Sequence, residues 1–231
     1  MLIHPSQIVV PPGQSILLET VDWASFEAFL EQMGERPGMR LAYDAEVLEL
    51  MTPLLEHEDD KEIIGDLIRA LLETLGIEFR SIGSTTLRSP TAAKGVEPDQ
   101  CFYIAHESAI RGKRSIDLSV DPPPDLALEI DITTRRDHRA IYAALRVPEL
   151  WRFDGTRLHI YCLRDDGYLE TERSDQFPGF ALADAIPRFL ERSRVDGRSA
   201  ALRAFRDWIT TECPRLDDEK PKQTGNTSRS L

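Results

Sequence analysis

The sequence predicts a mixed α/β (α+β) layer fold, and three observations predict it. Apolar residues recur at helical spacing in some segments and alternate with polar residues in others. The two kinds of segment interleave, in the order helix, hairpin, helix, strands, helix, strands, helices. The chain has 231 residues, 41% of them hydrophobic, which suits one globular domain with a real core.

Residues 20–34 read as an amphipathic helix that ends near Gly34, with Trp23, Phe26, Phe29 and Leu30 on one face. Residues 40–51 read as a β-hairpin, because EVLELM alternates, with a turn near Asp44. Thr52 and Pro53 then open a long helix. Ile63, Ile64, Leu67, Ile68, Leu71, Leu72 and Leu75 recur along it, and Gly76 ends it. Short strands are expected around 78–81 and 85–89, followed by a strand VEPDQCFYI. The PPP at 122–124 cannot sit in a central strand, so it bounds the apolar strand DLALEIDIT. A helix over about 136–145 follows, and then ELWRF, LHIYCL and YLETE alternate like a meander. Residues 182–194 and 201–212 look helical. The expected organisation is one domain over 1–213 and a polar, proline-bearing, disordered tail over 214–231.

Composition narrows the function classes. No apolar run approaches ~18 residues, so no membrane helix is expected. The opening MLIHPSQIVVPPGQS lacks a basic region followed by an apolar one, so no signal peptide is expected. Cys101, Cys162 and Cys213 are far apart and fit no zinc spacing, and a reducing, cytoplasmic setting is the simplest reading. The net charge of −12 runs against a nucleic-acid binder. The charge is uneven, however. Residues 188–206 hold six arginines and two acids, while 56–62 hold five acids and one lysine. The arginine run reads either as a locally positive face or as an ordinary solvated helix surface.

Two acids sit where acids are costly. Asp99 lies inside VEPDQCFYI and Glu129 inside LALEIDI, and a buried carboxylate needs a partner or a metal. Strand alternation puts Asp131 on the face of Glu129, and Leu128, Ile130 and Ile132 on the other. With Asp99 on a neighbouring strand, the three acids form a cluster of hard oxygen ligands suited to Mg2+ or Mn2+. An ion held there polarises a phosphate oxygen and activates water. The plain alternative is that each acid is a paired structural residue. His57 continues the inward stripe of the long helix, as a ligand, a proton carrier or a capping residue. Glu58 falls on the polar side of that helix. No P-loop, no GxGxxG after a strand, no GxSxG elbow and no HExxH is present.

The segments LAYDAEVLELMTP with the HE after it, GVEPDQCFYI, PPPDLALEIDIT, and IYAALRVPELWRFDG with LHIYCL after it carry a resemblance. They resemble the putative restriction endonuclease family of the PD-(D/E)XK nuclease superfamily, over about residues 38–163. The resemblance implies a restriction-endonuclease-like central mixed sheet flanked by helices, with an N-terminal helix and β-hairpin. It implies Asp99 as the metal aspartate and Glu129 as the second acid, with His57 and Glu58 on the first core helix. The superfamily's lysine, two residues after the second acid, is here Asp131. The resemblance implies that the basic group comes instead from the following helix, where Arg135, Arg136, His138 and Arg139 stand, or from Lys94.

The function expected is Mg2+-dependent hydrolysis of DNA phosphodiester bonds, with Asp99, Glu129 and Asp131 as ligands and His57 beside them. The alternative is a nuclease-fold binding or regulatory module that has lost catalysis. A symmetric homodimer is the expected assembly.

Overall fold

The computed structural model describes residues 5–34, 39–83, 85–131, 136–165 and 167–217. A short 3-10 turn, Pro5–Gln7, leads to strand β1, Gln14–Leu18, which the sequence pattern did not signal. Helix α1 runs Trp23–Met33 and is capped by the Asp22 side chain, which accepts from the Ser25 amide at 2.8 Å. Its apolar face packs Phe26 flat against Tyr43, with ring centroids 4.4 Å apart. Strands β2, Arg40–Asp44, and β3, Val47–Thr52, form the expected hairpin. The turn consists of Ala45 and Glu46, both at positive φ, a two-residue primed turn made without glycine or asparagine.

Helix α2, Leu55–Thr74, has no side-chain N-cap, but Glu56 and Glu58 favour its N-terminal turn. Gly76, at φ 67°, closes it. The Ile77 amide donates to the Leu72 carbonyl at 2.9 Å and the Gly76 amide to Glu73 at 3.1 Å, the paired bonds of a glycine-terminated helix. Then come β4, Arg80–Ile82; β5, Leu87–Ser89; β6, Lys94–Val96; and β7, Gln100–Tyr103. The single strand expected over VEPDQCFYI is therefore two strands. Pro98 lacks an amide donor, the chain breaks at residues 97–99, and β6 and β7 join different sheets. A one-turn helix α3, Glu107–Ile110, precedes β8, Leu126–Ile130. After β8 come α4, Arg139–Ala144; the meander β9, Glu149–Phe153, β10, Leu158–Arg164, and β11, Gly167–Thr171; and helices α5, Leu182–Asp196, and α6, Arg198–Asp217. Helix α6 thus continues past residue 213, and residues 218–231 lie outside those described.

Two sheets result. The mixed sheet has the order β11-β10-β9-β8-β7-β4, with β8 and β9 parallel and the other pairs antiparallel. The second sheet, β1-β3-β2-β6-β5, is antiparallel. One face of the mixed sheet, with Leu128, Ile130, Trp151, Phe153 and Ile160, packs on α2, α5 and α6. The other face, with Ala127, Leu150 and Tyr161, packs on α4 and on Ala42, Leu87 and Val96 of the second sheet. The arginines of 188–206 are partly used to fasten these helices: Arg194 pairs with Asp60, Arg198 with Asp66 and Arg206 with Glu73. Among the described residues no helix is long and apolar enough to cross a membrane.

Candidate metal centre

The break between β6 and β7 sets Asp99 at the seam of the two sheets. Its backbone amide donates to the Leu128 carbonyl at 3.1 Å, and its Oδ2 accepts from the Ile130 amide at 2.7 Å. The carboxylate is thereby tied to the end of β8 next to Glu129. Asp99 is 2% exposed, and it is answered by two cations. Arg40 Nε donates to Oδ1 at 3.2 Å, and His57 Nε2 stands 3.3 Å from Oδ2.

Glu129 points away from Leu128 and Ile130, toward α4, and accepts from the Tyr142 hydroxyl. Its partner is neutral, unlike those of Asp99. Burial, and next the charge of Asp99, push its carboxyl up, while His138, Tyr142 and His57 pull the other way. Asp131 extends the β8 ladder by one bond, from its amide to the Phe153 carbonyl at 2.7 Å. Its side chain pairs with Arg152, and its Oδ1 is buried without a hydrogen-bond partner. Asp99, Glu129 and Asp131 all line one cleft.

The other expected residues divide. His138 takes the N-cap position of α4, lines the cleft, and lies 3.1 Å from Glu49 Oε2 through Nε2. Burial lowers its pKa, but the Glu49 bond and the charges of Glu129 and Glu49 outweigh it and the ring is raised. Arg136 also lines the cleft, 3.9 Å from Glu49. Arg139 lines it too, but its guanidinium is clamped by Asp137 and sits 4.8 Å over the Tyr161 ring. Lys94 pairs with Asp44 and does not line the cleft, and Arg135 lies outside the described residues. His57 stands behind Asp99 rather than on the cleft. Burial opposes its protonation, yet Asp99 and Glu58 on either side raise it to about 9. Glu58 in turn is held down to about 2, chiefly by His57 and then by Lys61 and Arg40.

Four cleft residues carry roles the sequence reading did not assign. Arg40 holds Asp99. Glu49 is 3% exposed in the middle of β3. Glu97 is pushed up to about 6 by burial, with Arg40 lowering it and Asp99 adding to the rise. Arg152 neutralises Asp131. Glu49 carried a readable signal, an acid between Leu48 and Leu50, of the same kind that marked Glu129.

The donors fit a hard divalent cation. They are carboxylate oxygens, and the half-buried Glu129 beside the Asp99 charge is a group that a cation would relieve. Among the described residues no three His, Cys, Asp or Glu side chains converge closely enough to hold an ion by themselves. The pair suits an ion that keeps most of its own water, as Mg2+ does.

A family model described as Uma2, "Putative restriction endonuclease", matches residues 24–193, from α1 into α5. Among solved structures, one titled as a "putative nuclease belonging to DUF820" from Anabaena variabilis ATCC 29413 is similar, with a TM-score of 0.47 and 13% identity. The match covers 67% of this chain and 87% of that one. No curated protein sequence matches.

Proposed function

The chain belongs to the Uma2 family of putative restriction endonucleases, and from that membership we propose a divalent-metal-dependent endonuclease that hydrolyses phosphodiester bonds of DNA. The observation that carries the reading is the Asp99–Glu129 pair. Two carboxylates open on one cleft, and among the described residues the second pairs with no cation and is held by a hydroxyl. Asp99 and Glu129 would hold Mg2+ or Mn2+, with Asp131 at the same cleft. Such an ion, when bound, supplies Lewis acidity toward a phosphate oxygen and makes water a better nucleophile near neutral pH.

The remaining work falls to the chain's own groups. Hydrolysis adds the oxygen of water to phosphorus and breaks one P–O ester bond, so negative charge grows on phosphate and the departing alkoxide needs a proton. His138, held by Glu49 and protonated to higher pH than a free imidazole, is the basic partner that answers this charge. Arg136 adds to it. Lys94 and Arg139 are engaged elsewhere. Tyr142 holds Glu129, while His57 and the Ile130 amide hold Asp99. Residues 1–213 act as one domain in this reading, and the enzyme works as a symmetric dimer, which light scattering tests directly.

Cleavage of supercoiled plasmid tests the activity. Wild type with Mg2+ or Mn2+ nicks the plasmid, chelator stops it, and Glu129→Gln slows it by about 100-fold or more. Equal cleavage by the variant, or none with either ion, counts against an enzyme. The second outcome favours a binding module on a nuclease fold, a reading supported by Asp131 paired to Arg152 where the superfamily places a lysine.

A further inference from the structure

Arg40 opens β2 yet is only 7% exposed, and its guanidinium joins two carboxylates from different elements. Nε donates to Asp99 Oδ1 at 3.2 Å, and Nη2 donates to Glu58 Oε1 at 3.4 Å. The same residue lines the cleft with Glu97, Asp99 and Glu129. The other oxygen of Asp99 is already taken, since Oδ2 accepts from the Ile130 amide and faces His57. Oδ1, the oxygen Arg40 holds, is therefore the one from which an approaching cation has to compete for charge.

Like charges sharing one buried carboxylate repel strongly, because little water lies between them to screen the repulsion. A divalent ion on Asp99 and the Arg40 guanidinium on the same group therefore oppose each other. Glu58 offers the guanidinium somewhere to go. It already accepts from Nη2, is about one-third exposed, and keeps its charge to about pH 2.

We propose that Arg40 is a built-in counter-ion. It occupies Asp99 while no divalent cation is present and shifts its hold onto Glu58 when one binds. The inference rests on the metal reading above. Coupling of this kind is reciprocal, so whatever the ion costs Arg40, Arg40 costs the ion.

Titration of Mn2+ into the full chain, followed by calorimetry and by the paramagnetic signal of free Mn2+, tests it. Arg40→Gln is expected to bind Mn2+ about tenfold more tightly than wild type. Without metal it is expected to melt lower than wild type, and to gain more melting temperature from Mn2+. Arg40→Lys keeps a charge but loses the fork that spans Asp99 and Glu58, and its affinity is expected between the two. If Arg40→Gln fails to fold, Arg40→Lys against wild type carries the comparison. Affinity in the variants equal to or weaker than wild type overturns the counter-ion role while leaving the metal reading standing. That is the result a purely structural Arg40 gives. No Mn2+ binding by wild type or by either variant overturns the metal reading itself, and this inference with it.

Discussion

A carboxylate set against the inside of a sheet has to be answered, and the acids of this cleft are answered in different ways. Among the described residues, Asp99 has Arg40 and His57, Asp131 has Arg152, Glu49 has His138, and Glu129 has the neutral Tyr142 hydroxyl. The His57–Asp99 contact has a measurable consequence. A group whose pKa is higher folded than unfolded stabilises the fold fully below its unfolded value and no longer does so above its folded one. For His57, with folded pKa about 9 against an ordinary 6.5, the contribution is complete below pH 6.5 and lost as pH rises through 9. Its upper bound is about 3 kcal/mol. The metal-free protein is thus expected to lose melting temperature between pH 6.5 and 9.5, and His57→Gln to flatten that decline. An equal decline in the variant contradicts the assignment. Glu129 stood out in the sequence because it interrupts an apolar run, and Asp99 because it lies inside a segment that reads as a strand. Arg40 was not, since an arginine opening a strand looks like an ordinary solvent-facing residue, and only the fold brings Glu58 and Asp99 to it.

At the scale of elements, the position of Asp99 depends on how closely α2 approaches β7. Gly65 makes that approach possible, because a Cβ there would lie 2.3–2.6 Å from the Gln100 amide. That amide cannot simply swing aside. It donates to the Lys61 carbonyl at 3.1 Å and accepts from Arg69 at 2.9 Å, and Gln100 is 4% exposed. Gly65→Ala is therefore expected to cost about 1–3 kcal/mol in denaturant unfolding. It should also weaken Mn2+ binding, since Gln100 follows Asp99 directly; unchanged stability contradicts this packing. The body of the long helix was readable from apolar spacing and its stop from Gly76, but its start was not: Thr52, expected to open it with Pro53, ends β3, and the helix begins at Leu55. The division of 94–103 into two strands was not. Its composition is that of one strand, and the break comes from two sheets competing for the same segment, with Pro98 as the only local sign. The turn near Asp44 was legible but its primed type was not, because that geometry is imposed by the flanking strands rather than by the turn residues Ala45 and Glu46.

At the scale of the molecule, the fold class followed from interleaved periodicities, whereas the second sheet did not, because β1 and β5 are short edge strands with little pattern. The cleft is where the two sheets meet. Arg40 and Glu49 come from one, Glu129 from the other, and Asp99 from the connection between them. The sheets are thus expected to melt together, as a single calorimetric transition whose van't Hoff and calorimetric enthalpies agree; two separate transitions contradict this. In the proposed reaction the net charge of −12 would make a cation more central to an encounter with DNA, since the protein brings no overall positive field to it. Calorimetric titration of Mn2+ into wild type, Asp99→Asn, Glu129→Gln and the double variant, each shown to be folded, tests the central claim most directly. The account predicts binding by wild type, a loss of about tenfold or more in each single variant, and none in the double variant. Mn2+ binding that survives the loss of both carboxylates contradicts it.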